Sequence, residues 1–322
     1  MSHNLNINQG HASMFYFGET PWHRLGTKLA RPATAAEAME QAGLNFSVAK
    51  KPLRAMINKR SYVEVQDHFG IVRMDTGDCL GVVGSRYEPI QNRDCFSFFD
   101  PLVDRSESIY HTAGVIGKGE KIWLLAKLPD YIRIGPKKDP VEKYLLLYNS
   151  HDGSSHIRIK LSPIRVVCQN TLSSALRGVD DEVKVKHTAS APEKLEEAHK
   201  LLGLTNSLYQ ELDFIFNRMA LRKLTGKDIL DYVKALVPDN PEAENNTRTE
   251  NIRKKILDLH ESRPDAAMHR GTAFGIYNAT TELVDHFVSS EDPNKQLKSI
   301  WFGSGERLKL KAFQLAEDLI KN

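Results

Sequence analysis

Cys168 ends the apolar, β-branched run SPIRVVC, and Gln169 and Asn170 follow it as polar groups able to donate to an oxyanion. A thiol just before a helix start is activated by the amides there. The helix expected over 171–177 therefore makes a cysteine nucleophile one chemistry open to this corner. The competing reading is a thiol buried at a strand end, with Gln169 and Asn170 as the polar corner that caps the next helix. No histidine in the sequence is marked as a base for Cys168, so no catalytic residue is assigned.

Other constellations are incomplete. His151, Asp152 and His156 flank the turn HDGSSH and could gather around a cation, but polar residues are what a hairpin tip contains. Pro129-Asp130 with Glu182-Val183-Lys184 can be fitted to a PD…(D/E)xK metal-dependent nuclease, whose carboxylates hold a divalent ion that activates water. Gly303-Ser304-Gly305-Glu306 suggests a phosphate cradle, yet lacks the GxxxxGK[ST] order, and a turn is the better reading. Asp285-His286 reads as a surface pair rather than a general acid. No cofactor or metal is expected.

Cations interleaved with aromatic side chains offer a further chemistry. Phosphates need the first and unpaired bases stack on the second, each stacked base contributing ~1–3 kcal/mol. Between Lys118 and Arg165 ten basic residues face five acids, whereas the whole chain has a formal net charge of only +3. Lys118, Lys121, Trp123, Lys143, Arg158, Lys160 and Arg165 are the nucleic-acid-binding candidates. Period two puts Arg158 and Lys160 on one strand face and Ile157 and Ile159 on the other. A solvated outer sheet face would show the same pattern.

These residues need elements to hold them. Thr34-x-x-Glu37 is a capping box that opens a short helix stopping at Gly43. From Asn45 to Ile90 the period becomes that of strands, with a turn at Asp75–Asp78. Asn92 and Asp94 open a helix whose buried stripe includes Cys95, Phe98 and Phe99. Two hairpins follow, joined through GKGE and HDGS. Past Ser190 the pattern is helical, with Thr225-x-x-Asp228 opening one helix, and Leu195 to Met219 carries a narrow ~3.5-residue seam that packs within the chain or joins copies as a homo-oligomer. The expected class is α+β: antiparallel β-hairpins with packed helices over residues 1–188, then an α-helical region over 189–322.

Composition sets the outer bounds. A chain of 322 residues, 41% apolar and 26% charged, has no run long enough to span a membrane. MSHNLNINQGHASM lacks the basic-then-apolar order of a signal peptide, so a cytoplasmic location is expected, with three reduced cysteines too widely spaced for a disulfide framework.

Four stretches resemble one family: PWHRLGTKL, LGVVGSRYEPIQN, NSHDGSSHIRIKLSPIRVVCQNTL and GTAFGIYNATTELVDH. They are similar to the phage/plasmid-like proteins classed as domain of unknown function 932. Arg24 stands where that pattern usually has glycine. The resemblance implies a bacterial mobile-element setting among DNA-maintenance genes and supplies no activity. The expected function is DNA metabolism through single-stranded DNA binding or annealing by the basic hairpins. A metal-dependent nuclease or other hydrolase, and an anti-defence or scaffold protein without catalysis, are the alternatives.

Overall fold

A computed structural model of the chain describes residues 6–8, 11–18, 26–100, 103, 108–165, 170–171, 182–195, 205–242, 245–262, 267–287 and 299–321. The strands are β1 (Ile7–Asn8), β2 (His11–Ala12), β3 (Met14–Phe17), β4 (Thr27–Leu29), β5 (Val48–Asn58), β6 (Ser61–Arg73) and β7 (Cys79–Gly84). They continue as β8 (Ile109–Ile116), β9 (Lys121–Ile134), β10 (Asp139–Ser150), β11 (Ile157–Leu161), β12 (Ile164–Arg165), β13 (Asn170–Thr171) and β14 (Glu182–Val185). The helices are α1 (Ala35–Gln41), α2 (Asn92–Ser97), α3 (Thr205–Leu221), α4 (Gly226–Leu236), α5 (Thr247–Ser262), α6 (Ala273–Glu282) and α7 (Ser304–Leu319). The protein is thus of the α+β class, with helices concentrated toward the C-terminus.

Two compact units interleave along the chain. The first comprises Met1–Pro129, Tyr144–Leu161 and Glu182–Leu204, and the second Asp130–Lys143, Ser162–Asp181 and Thr205–Asn322. Among the described residues no helix is long and apolar enough to cross a membrane.

In the first unit, β8 and β9 form the hairpin expected across GKGE, in register from Ile109↔Lys127 to Ile116↔Lys121. β10 and β11 form the one expected across HDGS, and β14 adds antiparallel to β11. β3 pairs antiparallel with β8 and parallel with β4. Helix α1 starts as its capping box dictates, with Glu37 N donating to Thr34 Oγ1 and Thr34 N to Glu37 Oε2. Beside it α2 buries Cys95 and Phe96, and Phe99 follows them into a cluster with Tyr110, whose hydroxyl donates to the Phe96 carbonyl and to Asp100. Burial pushes the Cys95 thiol well above its ordinary range, which leaves it unreactive.

The second unit is built around α6, whose ten residues are all buried. Such all-round burial requires neighbours on every side. Phe216 of α3 and Phe313 of α7 meet Phe274 and Tyr277 of α6 at ring separations of 5.6–6.1 Å. Helix α4 opens with the capping box expected at Thr225 and Asp228 and ties to α7 through Tyr232 Oη, which donates to the Ala312 carbonyl. The helix expected as one rod from Leu195 to Met219 is seen at 191–195 and again in α3; positions 196–204 lie outside the described residues.

Candidate functional site

The strands β5 and β6 make a long antiparallel ribbon whose two ends differ in physics. Near its base β7 is the third strand, pairing with β6 as far as His68↔Gly84. Beyond that point β6 has β5 as its neighbour, and from Arg54↔Glu64 through Asn58↔Ser61 the ribbon is two strands wide. The two regions are separated by a bulge: Leu53 alone on β5 faces the four residues Val65–His68, and Asp67 there adopts φ +57°. Pro52, which gives no ladder hydrogen bond, lies at this bulge on the edge strand, where proline is tolerated.

The outer ribbon is exposed on both faces. Met56 and Tyr62 are cross-strand partners and stand 65% and 59% exposed. Arg54 shares their face by period two, next to Glu64 across the ladder, and Lys59 and Arg60 follow Asn58 at the tip. Lys51, Arg54, Lys59 and Arg60 are exposed and make no ion pair among the described residues. A ribbon with no core of its own is marginal in water, so it is held by its three-stranded base. There Ile71 is fully buried, and the Arg73 guanidinium lies over the Phe46 ring and binds Asp75 and the Lys118 carbonyl.

The residues expected from sequence to bind nucleic acid have other surroundings. Lys118, Lys121, Trp123, Arg158 and Lys160 belong to the first unit, and Lys143 and Arg165 to the second. Lys118 is exposed and pairs with Asp78 at 2.8 Å. Lys121 pairs with Asp152 at 3.1 Å. Trp123 is 4% exposed, because its ring lies over Gly114, where a Cβ would come within 2.2 Å of it. Arg158 donates side-on to Glu182 of β14, the register partner of Lys160, and against the cost of burial that guanidinium holds the Glu182 carboxyl below its ordinary range. Lys160 is 8% exposed. Lys143 sits 4.0 Å from Asp130 and over the Tyr209 ring. The face shared by Arg158 and Lys160 is largely withdrawn from solvent on β11, an inner strand between β10 and β14.

Arg165 and Asn170 are register partners in β12 and β13, so Asn170 and Thr171 extend a short ladder. Cys168, Gln169 and the rest of the helix expected over 171–177 lie outside the described residues, as do Trp22, His23 and Arg24.

The expected surface pair Asp285-His286 also needs correction. Residues Leu283–Phe287 wind as a π-helical turn, which carries Asp285 inward to a buried ion pair with Lys309 of α7 at 3.1 Å. Gly303–Glu306, expected as a turn, is instead the start of α7, in which Gly305 is pressed against Val284 and Ser299 and its amide donates to Ser299 Oγ. Asp130 falls in the second unit, while Glu182 and Lys184 of the nuclease-like pattern fall in the first and pair with each other. Among the described residues no three His, Cys, Asp or Glu side chains gather as a metal site would require.

The turn 151–154 organises a second feature of the first unit. Asp152 Oδ1 accepts from Ser150 Oγ and from Ser154 N, and its carboxylate pairs with Lys121. Behind the turn, Asn92 Nδ2 donates to the Leu44 and Phe46 carbonyls, so its Oδ1 accepts from His151 Nε2 at 2.8 Å. Likewise Asn149 Oδ1 accepts from Ser150 N and from His187 Nε2 at 2.7 Å. Both imidazoles are thereby fixed as Nε2–H tautomers. Burial, then the neighbouring His187, pushes His151 down to about 3; burial, then His156, pushes His187 down to about 4. The His187 ring stacks on Tyr87 at 4.7 Å, and beside this stack opens a cleft of about 820 Å³.

Lys51, Arg54, Lys59, Arg60 and Tyr62 are absent from the sequence-derived candidates, although a signal exists: Lys50–Arg60 holds five basic residues and no acid. That run is denser in uncompensated charge than Lys118–Arg165. Residues 79–301 match the family described as a domain of unknown function, DUF932. No curated protein and no solved structure matches the chain.

Proposed function

Because the chain belongs to the domain of unknown function 932 family, a family described without an activity, we propose a function from its own geometry: binding of single-stranded nucleic acid through the outer β5–β6 ribbon. The observation that carries this reading is the face shared by Arg54, Met56 and Tyr62, exposed and leading to Lys59 and Arg60 at the tip. Phosphate binding needs cations that are not already neutralised, and Lys51, Arg54, Lys59 and Arg60 make no ion pair among the described residues. Stacking of unpaired bases needs an accessible aromatic face, which Tyr62 offers and the covered Trp123 does not. A role in mobile-element DNA metabolism is in keeping with such binding.

Fluorescence anisotropy with a labelled single-stranded oligonucleotide across a salt series tests the reading. Affinity should fall steeply with salt, and Lys59→Glu with Arg60→Glu should weaken binding and flatten the salt slope by about 0.7 per lost phosphate contact. Unchanged affinity in that double variant would remove the ribbon as the binding element.

A further inference from the structure

The cleft beside Tyr87 and His187 is bounded by three segments of the first unit: Gly84–Tyr87 after β7, Gly153–His156 in the β10–β11 turn, and Lys186–Thr188 after β14. Its volume of about 820 Å³ is that of a nucleotide-sized ligand site, within the usual ~300–1,000 Å³. Its walls are held in place before any ligand arrives. Lys50 Nζ donates to the Ser85 and Tyr87 carbonyls, Tyr87 Oη donates to the Ser150 carbonyl, and Glu88 N donates to the His187 carbonyl, tying the first wall to the third.

The charges at this cleft do not cancel. Arg86 and Lys186 reach it from separate walls, and neither has an ion pair among the described residues. Asp67, from the ribbon bulge, is the one carboxylate in the lining. Asp152, within the turn, is already engaged by Ser150, Ser154 and Lys121, so it does not neutralise the mouth. Hydroxyls of Ser85, Ser155 and Thr188 add neutral hydrogen-bonding groups to the same walls.

We propose that this cleft binds a phosphomonoester, with Arg86 and Lys186 holding the phosphoryl oxygens and the lining hydroxyls completing their hydrogen bonds. A guanidinium fork matches a phosphoryl group in two-point geometry, and an ammonium adds a point charge beside it. His187 stays neutral at physiological pH, so the charge is supplied by the arginine and the lysine. A terminal phosphate of a strand and the phosphate of a free nucleotide present the same chemistry here. The inference uses none of Lys51, Arg54, Lys59 and Arg60 and stands or falls apart from the strand-binding reading.

Calorimetric titration of the full-length protein with thymidine monophosphate, with unphosphorylated thymidine as control, tests it. The monophosphate should bind, thymidine should not, and Arg86→Glu with Lys186→Glu should weaken monophosphate binding by about tenfold or more. Both side chains are exposed, so the double variant should keep the melting temperature of the parent and still bind long strands through the ribbon. Equal binding of thymidine and its monophosphate, no binding of the monophosphate, or unchanged affinity in the double variant would each overturn the proposal. In the Lys59→Glu, Arg60→Glu ribbon variant, a preference for a 5′-phosphorylated over a 5′-hydroxyl oligonucleotide assigns the site to strand ends. Equal binding of those two oligonucleotides, with the monophosphate still bound, assigns it to free nucleotides.

Discussion

Tyr62 carries the aromatic part of the strand-binding reading, since its ring is exposed beside Met56 and lies one ladder step from Arg54. Tyr62→Ala should weaken single-strand binding by about 1–3 kcal/mol, roughly 5- to 150-fold, without lowering the melting temperature. An unchanged dissociation constant would show that the ring is not stacked on. His151 and His187 lead to a prediction about acid stability. Their folded pKa values, about 3 and about 4, lie below the ordinary 6.5, so the unfolded chain takes up protons first. Stability should be complete above about pH 6.5 and fall progressively as the pH drops toward 4, by on the order of 3 kcal/mol for each histidine. Thermal melts across that range check this, and replacing His187 by glutamine, which keeps a donor for Asn149, should shrink the decline. Trp123 shows why residue type alone misleads here. A tryptophan between cations on a strand reads as a stacking platform, but the partner across the ladder is Gly114, and that vacancy draws the ring inward.

The hairpins themselves were legible because alternation and turn residues are local: GKGE and HDGS join the expected strands, and the Thr34 and Thr225 capping boxes begin helices where they should. Which face of a strand meets solvent was not legible at β11, because its neighbour β14 follows it by some twenty residues and covers Arg158 with Glu182. Asp285 was misjudged for a similar reason, since only the π-helical turn rotates it toward Lys309. Removing one partner of that buried pair should be costly: Lys309→Met should destabilise the protein by roughly 3–5 kcal/mol in urea unfolding, and adding Asp285→Leu should restore most of the loss. If Lys309→Met alone is neutral, the pair does not hold α7 to the π-helical turn. On the β8–β9 hairpin, Gly114→Val would push a side chain into the Trp123 ring and should cost about 1–3 kcal/mol, read by the same assay.

The two units spend their residues differently. The second is built around a helix buried on every side, and the first carries both the exposed ribbon and the cleft at whose edge the ribbon bulge places Asp67. Binding is therefore expected to be separable from folding. Replacing residues 54–64 by a short turn should leave the melting transition in place, because none of those residues is buried. Anisotropy of a labelled single strand, followed from low to high salt with the intact protein and with this ribbon-less variant, measures the claim most directly. The account predicts salt-sensitive binding by the intact protein and its loss in the variant. Equal affinity and equal salt slope for the two proteins would contradict it.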